Sequence, residues 1–139
     1  MQKSAAVRAA QLETLESTIG TAAVLKLRSG AAPATADAAD TGTVVATMTL
    51  PSDWLGAASS TSGATSTKSK LGTWSDAAAD AANAGGAMHW RIYASNGTTP
   101  HLQGTVSATG GGGEIQLNNL NIALGQTVEI TSFDLTSAA

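Results

Sequence analysis

The sequence predicts a mainly β protein, an antiparallel β-sandwich or jelly roll with one N-terminal α-helix. Two observations favour this class: residues 88–106 have the pattern of a β-hairpin, and turn signals recur about every dozen residues between six to eight short strands. Strands and helices do not alternate, so a parallel sheet is not expected. The predicted organisation is a helix over residues 1–20 and a single β-sandwich domain over residues 21–139.

Residues 88–106 form the clearest element, a β-hairpin. Apolar and polar side chains alternate on both sides of an Asn96-Gly97 turn signal. A three-residue loop, residues 95–97, would pair Trp90 with Leu102 and so keep the apolar side chains on one face. The opposite face, which we expect to be solvated or to form an interface, then carries four polar side chains: His89, Arg91, His101 and Gln103.

Residues 4–19 predict the helix, with Ser4 as the N-cap and Gly20 as the stop signal. The helix has a narrow apolar stripe of three residues: Leu12, Leu15 and Ile19. This stripe is suited either to packing against the chain's own sheet or to docking on a partner, and the pattern leaves both open.

Further strands are predicted from β-propensity and alternation at residues 22–28, 43–50, 114–117 and 127–136. In the last of these, the apolar residues change face midway, and a bulge near Thr131-Ser132 is favoured over a strand buried on both sides. Residues 57–69 fit a loop or a strand of small residues, residues 70–74 a short strand, and residues 75–84 a loop or a short helix. Four glycines at 110–113 predict a flexible connector, since no phosphate-binding context surrounds them.

The composition is dominated by small side chains. Ala, Gly, Ser and Thr account for 76 of 139 residues, whereas Leu, Ile, Val and Phe together give only 24. Such a chain buries little apolar area per residue, which favours an oligomer or a surface-bound protein over a free monomer. A net charge of −3 with scattered basic residues predicts no nucleic-acid partner, and no apolar run is long enough to span a membrane.

No group of residues predicts catalysis or metal binding. His89 and His101 lack a neighbouring carboxylate in the sequence, and Asp37, Asp40, Asp76 and Asp80 lack the spacing of a calcium loop. There is no cysteine to provide a thiolate. We therefore expect no enzymatic activity, no cofactor and no metal. Trp54 and Trp74 lie in loop-like sequence, where they predict either interface anchors or a sugar-stacking platform.

Three segments, residues 25–50, 88–106 and 114–138, carry a family resemblance. They contain LKLRSGAAPATADAADTGTVVATMTL, MHWRIYASNGTTPHLQGTV and EIQLNNLNIALGQTVEITSFDLTSA. Together with the Ala-rich helix they resemble small Ala/Gly/Thr-rich structural virion proteins of tailed bacteriophages, including capsid decoration (cement) proteins. The sequence departs from that pattern at Ala94, where an acid is expected, and in a longer loop at residues 74–86.

The resemblance implies a decoration protein that binds across junctions between capsid subunits. The implied partners are the major capsid protein and further copies of the chain, as a dimer or trimer, with no nucleic acid and no membrane. The implied location is the capsid surface of a virion assembled in a bacterial cytoplasm. Tail or head-fibre components and carbohydrate-binding modules are the alternatives. The candidate interface residues are Leu12, Leu15, Ile19, Trp54, Trp74, His89, Arg91 and His101.

Overall fold

The structure, a computed structural model, describes residues 1–59 and 65–138. Within them, one helix precedes eleven strands, so the predicted class, mainly β with an N-terminal helix, is confirmed. The elements are α1 (Ala5–Ile19), β1 (Val24–Ser29), β2 (Val44–Thr49), β3 (Thr65–Ser69), β4 (Trp74–Asp76), β5 (Asn83–Ala84), β6 (Met88–Tyr93), β7 (Pro100–Ala108), β8 (Ile115–Leu117), β9 (Asn121–Ile122), β10 (Val128–Ile130) and β11 (Asp134–Ala138).

The largest sheet has five strands in the order β2-β1-β6-β7-β8. Its pairs are antiparallel except β7 and β8, which are parallel at one edge, so the sheet is mainly antiparallel, as the sequence predicts. Parallel neighbours usually need a long crossover. Here only residues 109–114 separate the two strands, and they turn the chain back beside β7.

The glycine run, predicted as a flexible connector, forms a turn whose Gly111 and Gly113 lie close to β7. Gly110 and Gly112 have φ of 84° and 82°, which other residues rarely adopt. A Cβ at Gly113 would lie 2.9 Å from the backbone nitrogen of Ser107, and the Ser107 hydroxyl accepts a hydrogen bond from the Gly113 N–H at 3.0 Å. Glycines are therefore required both for the backbone angles and for the close approach to β7.

The β6–β7 hairpin forms as predicted, but its register differs by two residues. Trp90 is opposite Gly104 and not Leu102. The loop is longer than three residues because the Asn96 side chain accepts the N–H groups of Thr98 and Thr99, at 2.9 and 3.0 Å. Since strand side chains alternate with a period of two, the shift leaves every side chain on its predicted face.

The inner face of the large sheet packs against the smaller sheets around a row of aromatic rings. Trp90 meets Phe133 edge to face at 5.2 Å between centroids, Phe133 meets Trp74 at 5.2 Å, and Trp74 meets Trp54 at 6.0 Å. All four rings are buried. These large side chains fill volume that small side chains such as Ala could not fill, since each aromatic side chain buries roughly 150–250 Å².

The C-terminal strand predicted at residues 127–136 is two strands. β10 pairs with β4 and β11 pairs with β3, so the change of face occurs at a break between two sheets and not at a bulge. Residues 75–84 contain no helix, and the predicted strand at residues 70–74 begins only at Trp74, as β4. Within residues 57–69, Thr65–Ser69 forms β3, and residues 60–64 lie outside the described part of the chain.

The outer face of the large sheet is covered by residues 30–41, which we call the strap. The strap connects β1 to β2 and contains no side chain larger than those of Pro, Thr and Asp. All six residues of β6 are buried, because the aromatic layer covers one face and the strap covers the other. The part of the polar face that carries His89 and Arg91 is thus a second, polar interior, whereas His101 on the same face remains half-buried.

Candidate functional site

Most of the predicted interface residues are buried within the chain. Four of them are at most 1 % exposed: Trp54, Trp74, His89 and Arg91. The helix residues Leu12 and Ile19 are also buried. A side chain in such a position is not available to a partner, so these six assignments are corrected. Leu15, 37 % exposed, and the half-buried His101 are the two that reach the surface.

Helix α1 packs on its own domain, which answers the question that its apolar stripe left open. It lies against β3 and β11. Ser4 caps it by accepting the Val7 N–H at 3.3 Å, and Gly20 ends it with φ of 89°. The carbonyl of Gly20 also accepts the indole N–H of Trp54 at 3.1 Å, which ties the end of the helix to the core.

Polar contacts fix the helix to β3. Lys68 on β3 is 1 % exposed, and its ammonium lies 2.6 Å from Glu13 and 2.7 Å from Glu16. Burial acts to lower the pKa of Lys68, but hydrogen bonds to the two carboxylates outweigh it and raise that pKa. The same contact lowers the pKa of Glu13. These groups stabilise the docking of the helix and have no geometry that suggests catalysis.

The two exposed candidates meet at a groove between α1 and β7. Its volume is about 240 Å³, and its lining residues are Gln11, Thr14, Leu15, Thr18, Ile19, His101 and Leu102. The groove combines apolar side chains with hydroxyl, amide and imidazole groups. Such a lining can accept a side chain of a partner through apolar contact and one or two hydrogen bonds. It is the place where the structure brings predicted interface residues together at the surface.

A second cleft, of about 290 Å³, lies near the C-terminal strands and was not predicted. Asn118, Asn119, Gln126 and Glu129 contribute amide and carboxylate groups to it. No periodicity or motif in the sequence marks these residues as a group, because they come from separate turns and strands that only the fold brings together.

The polar groups beneath the strap converge on Asp40 of the strap, whose side chain is 37 % exposed. Its carboxylate lies 2.5 Å from Arg91 and 3.3 Å from Arg28, and it accepts the hydroxyl of Tyr93 at 2.7 Å. Burial acts to raise the pKa of Asp40, but the hydrogen bond from Tyr93 and the two arginines lower it overall. Burial and the hydrogen bond to Asp40 raise the pKa of Tyr93 to about 12.

This cluster was missed in the sequence, although a signal for it exists. Arg28 and Arg91 lie on the polar faces of two predicted strands, and Asp40 lies in the loop between β1 and β2. Three of the four aspartates considered for calcium accept hydrogen bonds within the fold: Asp40 from Tyr93, Asp76 from the backbone N–H groups of Thr47 and Ala78, and Asp80 from the Thr47 hydroxyl. Among residues 1–59 and 65–138, no three His, Asp or Glu side chains are placed to hold a metal ion.

All seven lysine and arginine side chains make hydrogen bonds within the chain. Four of these residues, Arg8, Arg28, Lys68 and Arg91, are also buried. These four charges contribute to contacts inside the fold.

Comparison with protein-family models, curated proteins and solved structures gave no match. In the described part of the chain, no helix has the length and apolar character needed to cross a membrane.

Proposed function

We propose that this chain is a structural virion protein of a tailed bacteriophage, a capsid decoration protein that stabilises the shell by binding across junctions between capsid subunits. The observation that carries the proposal is the resemblance of residues 25–50, 88–106 and 114–138 to such proteins. The same proposal includes the jelly-roll or sandwich architecture, a dimer or trimer of the chain, and the major capsid protein as partner.

The distribution of side chains supports a structural role. The buried cations and His89 are used inside the fold, and the surface is left largely to small residues such as Ala, Ser and Thr. A surface of this kind can approach a neighbouring backbone closely with little desolvation of charge. Binding that occurs only on the assembled shell stabilises the shell by mass action, without any chemical step.

The groove between α1 and β7 is the contact site that we propose for the shell. It contains Leu15, one of the few large apolar side chains that remain exposed, beside His101. An apolar side chain of a capsid subunit that entered the groove would bury this leucine, and a neighbouring polar group of that subunit would hydrogen-bond to the imidazole. Repetition of the contact by symmetry multiplies a modest affinity over the whole particle.

The test compares particles assembled with and without the chain. Particles that lack it should release their DNA at a lower temperature, measured by the access of a fluorescent dye, and adding back the purified chain should restore the resistance. The variant Leu15→Asp should fold but restore less, whereas Leu124→Asp, at a leucine that is exposed outside the groove, should restore as well as the native chain. Unchanged heat resistance without the chain contradicts the proposal.

The alternative of a tail or head-fibre component is separated by localisation. Chain found on isolated tails and not on heads favours that alternative. The sugar-binding alternative has lost the observation that favoured it, because Trp54 and Trp74 are buried and cannot stack on a sugar.

A further inference from the structure

The strap is held to the sheet almost entirely by polar contacts. Arg91 donates to the carbonyls of Ala36 and Ala38 and to Asp40, and Arg28 donates to the carbonyl of Thr41 at 2.8 Å. Gln103 donates to the carbonyl of Pro33 at 2.7 Å. Since the side chains of the strap are small, little apolar burial supplements these bonds, and the attachment depends on the charge state of the groups beneath.

His89 is the group whose charge state is least compatible with a closed strap. Its ring is 1 % exposed, and Nδ1 lies 2.9 Å from the carbonyl of Gly30, the first residue of the strap. A carbonyl can only accept, so Nδ1 carries the proton in the neutral ring and Nε2 is a bare lone pair. Nε2 is buried and has no hydrogen-bond partner among the described residues.

The charged groups around His89 disfavour its protonation. Arg28 is its direct partner on β1, and Arg91 lies two residues along its own strand. Thr105, its partner on β7, is uncharged. The strap contributes only one carboxylate near the ring, Asp40, and that carboxylate already pairs with both arginines. A protonated His89 would be a third cation in a buried site, with an N–H that has no acceptor.

We propose that the strap is a latch that opens when His89 takes up a proton. Opening would expose the ring to water, where both nitrogens can be hydrogen-bonded in the cationic form. No covalent step is involved, and the only chemical change is the transfer of one proton from solvent to Nε2. Asp40, which bridges the strap to both arginines, would release the strap further at a lower pH when it is itself protonated.

The direction of the pH dependence follows from the pKa values. Burial is the main cause that lowers the pKa of His89 in the closed state below the ordinary value of 6.5, and the two arginines add to it. The open state therefore binds the proton more tightly, so opening is favoured as the pH falls below about 6.5 and the effect saturates below the pKa of the closed state. Uptake of one proton raises the opening constant by up to about tenfold per pH unit in that window.

The Nε–H of Arg91 provides a direct measurement of opening. It is buried with no acceptor among the described residues, so its hydrogen should exchange with water only when the strap opens. NMR on the full chain, from pH 7.5 to 5.5, would give its exchange rate relative to the intrinsic rate at each pH. The same samples give the pKa of His89 from its ring protons.

The expected result is a pKa of His89 below 6.5 together with an Arg91 opening constant that rises as the pH falls. His89→Asn keeps an N–H to donate to Gly30 and cannot titrate, so its opening constant should be flat, whereas His101→Asn, in the other histidine, should behave as the native chain. A His89 pKa at or above 6.5, an Arg91 opening constant that does not change, or the same rise in His89→Asn overturns the proposal. If His89→Asn does not fold, the two measurements on the native chain decide.

Discussion

Gly104→Ala should destabilise the protein, because the indole of Trp90 occupies the space where a side chain at position 104 would lie. A Cβ at that position would be 2.6 Å from Cζ2 of Trp90 and 2.7 Å from both Cε2 and Nε1. The indole is buried and meets Phe133 edge to face, so any movement that relieves the overlap disturbs the aromatic row of the core.

The expected magnitude comes from two opposing effects. Inserting a methyl group into a packed core costs roughly 1–3 kcal/mol. Replacing glycine where φ is not positive, as at Gly104, returns about 0.4–1 kcal/mol because the unfolded chain loses conformational freedom. The net loss in the free energy of unfolding should be about 1–2 kcal/mol, which lowers the Tm by roughly 3–10 °C for a chain of this size.

Urea denaturation followed by circular dichroism would measure the loss, and two further variants identify its cause. Gly56→Ala places a Cβ at an ordinary 3.5 Å from the Ser69 carbonyl and should change the stability by less than about 0.5 kcal/mol. In a Trp90→Phe background, the smaller ring frees the space and Gly104→Ala should cost clearly less. An equal cost in both backgrounds would refute the reasoning, because the indole would then not be the obstacle.

Two further predictions concern the glycine turn and the attachment of the helix. Gly113→Ala should lower the free energy of unfolding by about 2 kcal/mol, since its Cβ would meet the Ser107 backbone nitrogen at 2.9 Å. Gly86→Ala, where a Cβ has open space, should be nearly neutral. Equal urea midpoints for the two variants contradict the steric explanation. Lys68→Met should make the stability less sensitive to acid. Because the pKa of Glu13 is lowered in the folded state, its carboxylate contributes stability above about pH 4.5 that is lost as the pH falls. The urea midpoint should therefore drop less in the variant than in the native chain between about pH 6 and 3, and an equal drop contradicts the role of Lys68.

Local patterns predicted the helix and the faces of the strands because those features depend on neighbouring residues. Ser4 and Gly20 mark the helix ends through capping, and the alternation at Met88, Trp90 and Ile92 fixes which side chains face the core. The predicted hairpin register is wrong for a local reason, since the Asn96 side chain stabilises a longer loop than the Asn-Gly signal alone suggests.

The pairing of distant segments could not be predicted from local patterns. β1 pairs with β6 although residues 30–87 separate the two strands, and the apolar residues of β10 and β11 belong to two different sheets. Alternation gives the face of a strand but not its neighbour. For the same reason, the sequence predicts that Trp54 and Trp74 lie in loops with their rings available to a partner, whereas the fold places both rings in the core.

The candidate site was predicted least well because a polar face was equated with an exposed face. His89 and Arg91 alternate with apolar residues, which normally indicates a solvated side of a sheet. Here the strap covers that side, and its carbonyls and Asp40 satisfy most of the polar groups. An acid in the Ala-rich loop after β1, which carries Arg28, together with Arg91 on another predicted strand, was the available signal for this site.

The small side chains that predict a thin core are also what make the polar interior possible. The carbonyls of Ala36 and Ala38 in the strap accept hydrogen bonds from the Arg91 guanidinium directly. The central strand β6 is thus buried on both sides, by aromatic rings on one face and by the hydrogen-bonded strap on the other. Composition alone therefore does not require a neighbouring subunit to complete the fold. The proposal that the chain acts in an assembly draws its support from the resemblance of the hairpin and the flanking segments, and from the exposed leucine of the groove.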